Sequence, residues 1–535
     1  MTIDHIPEPA RHGQGEPFGP AWQGITLPRE LLDRHGAKVL DPWAVGLDPG
    51  EARPDSTVYR ADVLLVPGQL LAVREATDRI DEALSTVGLK LSRESVDRAR
   101  DRDFGDRTVW LPAVLEIADG AHDVKADAWP ALRAVRRALS DPSYAEPAAA
   151  ALRSQMDQIS LDHLFVGSAT SGIGSLDLGG EPATSGHAVT EQPGTGGAPG
   201  YGRIPLTVVA GPPRRRTLEE LGGPRITVVI LDTGVATHPW FRPVTDPDAF
   251  LTVDPDGQQQ IEDTHPAYAG RDIARLEGYE DLGQVPNPLI GTLNSHTGHG
   301  LMLAGIIAQT APDARVLSYK VMHSDGVVPG EALHAALDRL LDLMDGGQPV
   351  DVLCCSFGGF SESGDAAMQS LFTKVNQLRA RGVTVVNAAG NYATTRPFYL
   401  AALSETDVPG PPLAPMLGVA AKNPDGTVAI FSNDHPAVRW RAPGAMVVST
   451  FPPAHRGAHN APLSVGERAA LDCDAVGPFC GWSGTSFAAP IVAGVIAAEL
   501  TKTIGQVGVD PVERARTVIE TMINDKTARP EITPI

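Results

Sequence analysis

Apolar runs and amphipathic stretches alternate along the C-terminal part of the chain. The run from Arg225 to Leu231 is almost continuously apolar and rich in β-branched residues, which is typical of a strand buried on both faces of a parallel sheet. Further strand patterns and helical patterns then alternate, at 316–322, 332–343, 350–355, 366–379, 383–387 and 512–523. This order predicts an α/β fold with one doubly wound, mostly parallel sheet flanked by helices.

A shorter series of patterns lies nearer the N-terminus. The strand and helical patterns follow one another at 59–66, 76–87, 108–117, 129–139 and 148–156. Pro67-Gly68 stops the first strand pattern and Gly88 stops the first helical pattern. The strand–helix–strand–helix order predicts a small α+β domain.

Changes in composition mark the domain boundaries. Residues 1–55 are rich in proline, glycine and charge, and they predict an irregular arm. Residues 167–203 are mostly glycine, serine, threonine, alanine and proline, which predicts a flexible linker open to proteolytic cleavage. The small α+β domain is therefore placed at 56–166 and the large α/β domain at 204–535.

Charge and hydropathy exclude several kinds of partner. The 535 residues carry a formal net charge of −21, which argues against nonspecific binding to nucleic acid or to anionic membranes. No apolar run reaches the length of about 18 residues that a membrane span needs. The first residues lack the basic and apolar regions of a secretory signal, so the sequence predicts a cytoplasmic protein.

Four cysteines are too few for a disulfide framework. Cys354 and Cys355 are interpreted as small buried hydrophobic residues of a strand. Cys473 and Cys480 flank a short loop in which a bridge is geometrically possible. Two thiols are the favoured interpretation, because the cytosol is reducing.

A candidate nucleophile lies at Ser486, where the segment Gly484–Pro490 leads into the apolar helical run 491–498. Small neighbours permit close backbone approach, and a helix N-terminus favours negative charge. A serine at such a junction also fits a simple helix cap. The residue types alone leave both interpretations open.

A serine nucleophile needs a base, and the base needs an orienting carboxylate. Asp232 directly follows the strand pattern that ends at Leu231, and the carboxyl ends of parallel strands are where open α/β sheets place their sites. His299 precedes a second buried helical run at 301–308. These two residues are the candidates for the carboxylate and the base.

Six short segments, taken in order, resemble the motifs of the subtilisin-like serine proteases, or subtilases. The segments are Asp232-Thr233-Gly234, His299-Gly300 with Ala304-Gly305, Ser356-Phe357-Gly358-Gly359, Ala388-Ala389-Gly390-Asn391, Ala442-Pro443-Gly444, and Gly484-Thr485-Ser486 with Pro490. The order Asp, His, Ser excludes an α/β-hydrolase, in which the serine comes first.

The resemblance implies a serine endopeptidase that hydrolyses protein or peptide substrates through an acyl-enzyme. In the implied mechanism Ser486 attacks the carbonyl carbon, His299 transfers the proton and Asp232 orients His299. The side chain of Asn391 and the backbone N–H of Ser486 are implied to form the oxyanion hole.

The resemblance also implies where a substrate binds. An extended substrate would add to an edge strand, with the pocket walls formed by Ser356, Phe357, Gly358, Ala388, Ala389 and Gly390. Phe357 stands where the family often has a smaller aliphatic residue, which predicts a narrowed subsite.

In position and pattern, residues 56–166 look like the inhibitory propeptide of the subtilases. The resemblance implies that the protein's own N-terminal domain is an inhibitor, with residues 161–166 as the candidate tail that enters the cleft. The alternative is a sensor or partner-binding domain that stays attached.

The chain departs from the family pattern at several positions. Leu301 replaces a small polar residue, His296 stands where an acidic or polar residue is common, and Cys354 stands where asparagine is frequent. A large insertion at about 452–474 contains His455 and His459, which we interpret as exposed loop residues and not as metal ligands. No cofactor is predicted to be required. Structural calcium is common in the family and stays open as an alternative, although no loop here matches a recognisable calcium site.

Two other functions remain as alternatives to the endopeptidase. One is a catalytically quiet protein that uses the same cleft to bind peptides. The other is a ligase or macrocyclase, in which an amine captures the acyl-enzyme.

Overall fold

The computed structural model describes most of the chain. The described residues are 27–48, 50–105, 107–140, 147–168, 210–266, 272–283, 293–406, 408–454, 477–506 and 508–524, with short segments at 4–5, 204–206, 464–465 and 468–469.

The elements up to residue 168 alternate between strands and helices. In chain order they are β1 (Asp4–His5), α1 (Arg29–Arg34), β2 (Ala37–Leu40), β3 (Thr57–Pro67), α2 (Gly68–Ala72), α3 (Arg74–Ser85), β4 (Leu89–Leu91), α4 (Arg93–Arg100), β5 (Trp110–Ile117), α5 (Ala128–Leu139), α6 (Pro147–Met156) and β6 (Ser160–Gly167).

The elements after residue 203 alternate in the same way. In chain order they are β7 (Ile204–Pro205), α7 (Leu218–Leu221), β8 (Thr227–Asp232), β9 (Leu251–Val253), α8 (Pro255–Asp263), α9 (His299–Thr310), β10 (Arg315–Lys320), β11 (Val327–Pro329), α10 (Gly330–Asp345), β12 (Val352–Cys355), β13 (Phe357–Gly358), α11 (Gln369–Arg379), β14 (Thr384–Ala388), β15 (Met416–Lys422), β16 (Trp440–Pro443), β17 (Val447–Thr450), β18 (Ser464–Val465), β19 (Arg468–Ala469), β20 (Phe479–Trp482), α12 (Thr485–Thr501) and α13 (Pro511–Asn524), with short 3-10 helices at Gly364–Met368 and Ala401–Leu403.

The large sheet confirms the predicted fold class. Its strand order is β1-β16-β15-β14-β12-β8-β10-β9, and every pair in it is parallel except the pair of β1 with β16. Val228 and Ile230 of β8 pack with α9 and α12 on one face, whereas Val229 and Leu231 pack with α10 on the other. Burial on both faces explains why these strands are continuously apolar.

The second sheet joins the N-terminal elements to the C-terminal part of the chain. Its order is β11-β6-β3-β5-β4, with β2 also paired to β3 and β13 also paired to β6. Apolar residues of α3 and α5 cover β3 and β5 and form a separate core. Strand β6 of the small α+β domain therefore pairs with β11 and β13, two strands from the C-terminal part of the chain.

Two predictions about the N-terminal segments are wrong. The irregular arm predicted for 1–55 contains α1 and β2, and β2 pairs antiparallel with β3 from Ala37 opposite Arg60 to Leu40 opposite Thr57. Local composition missed this strand because its partner is distant in sequence. The linker predicted for 167–203 begins too early, since Gly167 ends β6 and Ser168 is 2% exposed; residues 169–203 lie outside the described part.

Helix α12 owes its burial to its composition. It is apolar and small-residue-rich around its circumference, as expected for a helix enclosed by the core. Gly494 lies so close to α9 that an added Cβ would stand 2.8 Å from Cβ of Thr310. This close packing fixes the N-terminal end of α12, and Ser486 with it, relative to α9.

Each helix that the structure describes is too short or too polar to cross a bilayer.

Candidate active site

Asp232 and His299 meet at the carboxyl edge of the large sheet. Asp232 is the last residue of β8, and His299 is the first residue of α9. His299 Nδ1 lies 2.8 Å from Oδ1 and 2.9 Å from Oδ2 of Asp232, and both side chains are fully buried. A carboxylate in this position holds the proton on Nδ1 and leaves Nε2 as the acceptor.

Thr233 and Asp281, of which the sequence analysis missed Asp281, hold the Asp232 and His299 loops together. Asp281 Oδ2 accepts hydrogen bonds from Thr233 Oγ1 at 2.9 Å and from Gly298 N at 2.6 Å. Thr233 Oγ1 in turn accepts from Gly300 N at 3.1 Å. Thr233 was visible as part of the aspartate motif, but nothing in the sequence distinguishes Asp281 from other loop carboxylates.

The second ring nitrogen of His299 faces an enclosed, aromatic environment. Nε2 is buried and has no hydrogen-bond partner among the described residues. The rings of His296, Trp482 and Phe487 lie 5.3, 5.6 and 5.3 Å from the His299 ring. Water is therefore excluded from the histidine in this arrangement.

Ser486 is the second residue of α12 and is fully buried. Its Oγ donates to the backbone oxygen of Ser356 at 2.9 Å, so the hydroxyl is turned away from His299 in this structure. The backbone N–H of Ser486 donates to the carbonyl oxygen of Ser168 at 3.1 Å.

Asn391 points its amide nitrogen at the same carbonyl oxygen. Its Oδ1 accepts from Thr485 N at 3.0 Å and from Thr485 Oγ1 at 2.9 Å, which fixes the orientation of the amide. Its Nδ2 then donates to Ser168 O at 2.5 Å. The two donors that the resemblance assigns to an oxyanion hole therefore converge on one oxygen, and that oxygen belongs to this chain's own N-terminal part.

Strand β6 carries Ser168 into the cleft. It lies between β11 and β13 and is antiparallel to both, with Val166 opposite Val327 and Gly358. Ser168 N donates to Ser356 O at 3.0 Å, and Gly167 N donates to Gly326 O at 2.8 Å. The backbone is thus held on both sides as in strand addition by a peptide.

The predicted substrate-binding residues divide into two groups. Ser356, Phe357 and Gly358 contact β6 directly through the backbone bonds and pairing just described, and Phe357 is fully buried with its ring 6.4 Å from Phe165. Ala388, Ala389 and Gly390 lead from β14 to Asn391, and Gly390 N donates to Thr485 Oγ1 at 3.0 Å.

Buried charges join the N-terminal unit to the rest of the chain. Arg60 is fully buried and pairs with Glu331 at 2.5 Å and Asp162 at 3.7 Å. His163 Nε2 lies 2.6 Å from Glu362, and His35 Nε2 lies 3.0 Å from Asp325. Burial, reinforced by the charge of Glu331, raises the pKa of Asp162 well above its usual range. These buried pairs link residues of the N-terminal unit to residues between 325 and 362, and removing one partner of such a pair would leave an uncompensated buried charge.

The buried His334 makes this contact sensitive to acid. Its ring stacks on Trp110 of β5 at 5.4 Å. Burial, followed by the charges of Lys374 and His163, lowers the pKa of His334 well below its usual range. The folded protein therefore keeps this imidazole neutral where the unfolded chain binds a proton, and stability falls as the pH drops below about 6.5.

We expect His334→Phe to weaken this acid sensitivity. The free energy of unfolding is measured with urea, in a Ser486→Ala background, at pH 7 and at pH 5. Between these pH values it should fall by up to about 2 kcal/mol more in the parent than in His334→Phe. His122→Phe, at an exposed histidine, should behave like the parent. Equal losses in the parent and in His334→Phe would contradict the role given to His334.

The prediction of buried cysteines is confirmed at Cys354 and Cys355, whereas the metal prediction stays a prediction. Cys354 and Cys355 are buried on opposite faces of the large sheet, as predicted, and burial raises the pKa of the Cys354 thiol to about 12. Cys480 Sγ lies 3.8 Å from Met302 Sδ, whereas Cys473, His455 and His459 lie outside the described residues. Among the described residues no cluster of three or more His, Cys, Asp or Glu side chains could hold a metal ion.

Comparison with known proteins identifies the family. The subtilase family model matches residues 223–530, more than half of the chain, and the chain belongs to this family of serine proteases. Thermitase of Thermoactinomyces vulgaris is 27% identical over 245 residues, covering 44% of this chain and 70% of thermitase. The minor extracellular protease Epr of Bacillus subtilis (strain 168) is 27% identical over 164 residues, covering 29% of this chain and 22% of Epr.

Solved structures with a similar fold include a lanthipeptide protease and a cold-adapted subtilisin-like serine proteinase. The first is 20% identical with a TM-score of 0.36, covering 55% of this chain and 79% of its own. The second is 16% identical with a TM-score of 0.34, covering 54% of this chain and 80% of its own.

Proposed function

We propose that the protein is a serine endopeptidase whose N-terminal domain occupies its own active site. Ser486 is the nucleophile, His299 the general base and Asp232 the orienting carboxylate. Asn391 and the N–H of Ser486 form the oxyanion hole. The cytoplasmic location remains a prediction from the sequence.

One observation carries the proposal. The carbonyl oxygen of Ser168 accepts hydrogen bonds from Asn391 Nδ2 at 2.5 Å and from Ser486 N at 3.1 Å. Donors that converge on one carbonyl oxygen stabilise the negative charge that develops there when the carbon is attacked. A plain helix cap at Ser486 gives no reason for a second donor aimed at the same atom.

The chemistry follows from these positions. Ser486 Oγ turns from Ser356 O towards His299 Nε2, gives up its proton and bonds to the carbonyl carbon. His299 then passes the proton to the departing amine, which breaks the peptide bond and leaves an acyl-enzyme. Water then attacks the acyl-enzyme while His299 takes its proton, and the proton returns to Ser486 Oγ as the acid product leaves. Asp232 holds the imidazolium in place during both halves of the reaction.

The contacts of the N-terminal part with the cleft support its role as an inhibitor. Gly167 and Ser168 are held by backbone bonds to both neighbouring segments. Arg60, His163 and His35 form buried pairs with Glu331, Glu362 and Asp325. A substrate cannot reach Asn391 while Ser168 O occupies its amide. Attack at the Ser168 carbonyl carbon would break the peptide bond between Ser168 and Ala169.

We expect the purified protein to cleave itself at this bond. Intact-mass analysis should find fragments 1–168 and 169–535 in the parent, whereas Ser486→Ala should stay whole. The isolated fragment 1–168, added back, should inhibit cleavage of peptides by 169–535.

Two outcomes would contradict the proposal. If the parent and Ser486→Ala both stay whole and neither cleaves peptides, the protein is a quiet peptide-binding protein. Ligation of peptides with added amines, without release of the free acid, would instead indicate the ligase or macrocyclase.

A further inference from the structure

The side chain of His296 lies against the residue that precedes Ser168. A Cβ added to Gly167 would stand 2.5 Å from Nε2 and 2.6 Å from Cδ2 of His296, and 3.1 Å from Sδ of Met322. The first two distances are shorter than non-bonded atoms tolerate. Any side chain at position 167 therefore requires the imidazole to move.

The imidazole has little room to move. Its opposite edge faces Gly326, where an added Cβ would stand 2.4 Å from Nδ1. Nδ1 lies 3.0 Å from Ser295 Oγ, and the backbone N–H of His296 donates to Ser324 O at 2.8 Å. The rings of His299 and Trp482 stand 5.3 and 6.3 Å away, so the imidazole is enclosed between two glycine backbones and two aromatic rings.

We propose that His296 determines specificity by admitting only glycine at the second residue before the cleaved bond. The inference rests on the proposed function, in which Ser168 and Ala169 flank that bond. It names the substrate class as peptides with glycine at this position. His296 is a positioning and specificity residue, because it contacts the substrate backbone and takes no part in the proton transfers.

The adjoining residue fits the same substrate class. Ser168 is 2% exposed, and its Oγ has no hydrogen-bond partner among the described residues. The pocket therefore accepts the serine for its small size and not for its hydroxyl. Alanine at this position should be cleaved at least as well.

The test uses two peptides of residues 161–174, one of native sequence and one carrying Gly167→Ala. Processed parent enzyme should cleave the glycine peptide about 100-fold faster than the alanine peptide, measured as kcat/KM. In His296→Ala this ratio should fall below 10-fold. The control Asn423→Ala changes a surface turn, leaves the imidazole and its contacts intact, and should keep the selectivity of the parent.

Comparable rates for both peptides with the parent enzyme would overturn the inference and leave the protease proposal intact. A ratio unchanged in His296→Ala would also overturn it, because another group would then exclude the side chain. Cleavage of neither peptide by the parent would count against the proposed function itself.

A second measurement does not depend on catalysis. In the whole Ser486→Ala chain, Gly167→Ala should lower the Tm, and adding His296→Ala should recover most of that loss. Additive effects of the two substitutions would contradict the contact between these residues.

Discussion

Ser486→Ala is expected to lower kcat for peptide cleavage by about 10⁶-fold, the loss found for the nucleophile of subtilisin, while leaving the fold unchanged. The reason is that the remaining groups can bind the substrate and stabilise its oxyanion but cannot form the acyl-enzyme. Because Ser486→Ala does not cleave itself, 169–535 of both proteins should be produced together with a separate fragment 1–168 and purified away from it before the peptide assay.

A buried serine away from the site provides the matched control. Ser318 of β10 is 1% exposed, and its Oγ has no hydrogen-bond partner among the described residues. Ser318→Ala should therefore retain parental activity. A loss of less than 100-fold in Ser486→Ala would show that another residue performs the attack.

Asn391→Ala is expected to have the second-largest effect. Loss of one oxyanion-hole donor should lower kcat by about 10²–10³-fold, a magnitude taken from subtilisin, with a much smaller change in KM. The donor acts chiefly in the transition state, when the oxygen becomes negative, and this explains why kcat should change more than KM.

Asn423 offers a comparison, because its side-chain amide donates to Thr427 Oγ1 and Val428 O in a surface turn. Asn423→Ala should leave both kinetic constants unchanged. If Asn391→Ala instead raised KM without lowering kcat, its amide would be a ground-state binding group.

The sequence predicted the large sheet well because that sheet is buried on both faces. Its strands must be apolar along their whole length, and this leaves a pattern that needs no knowledge of the partners. Positions at the ends of these elements, such as Asp232 at the end of β8 and Ser486 at the start of α12, could therefore be placed from the sequence.

The sequence was less informative where a residue depends on a distant partner. Strand β2 is stabilised by its pairing with β3, so local composition suggested an irregular arm. Gly167 was assigned to a linker because glycine is typical of flexible chain, but here glycine is needed for close approach to His296. Asp281 joins two loops across long separations, and no local signal marks it.

The most direct test of the central claim is active-site labelling with a fluorophosphonate, which reacts with an activated serine. In processed 169–535 we predict one phosphonyl group, located on Ser486 by peptide mass spectrometry. The reaction should be slowed by added fragment 1–168. It should be nearly absent in His299→Ala 169–535, which is produced with a separate fragment 1–168 and purified away from it because this variant does not cleave itself. Labelling at another serine, or equal labelling with and without His299, would contradict the account.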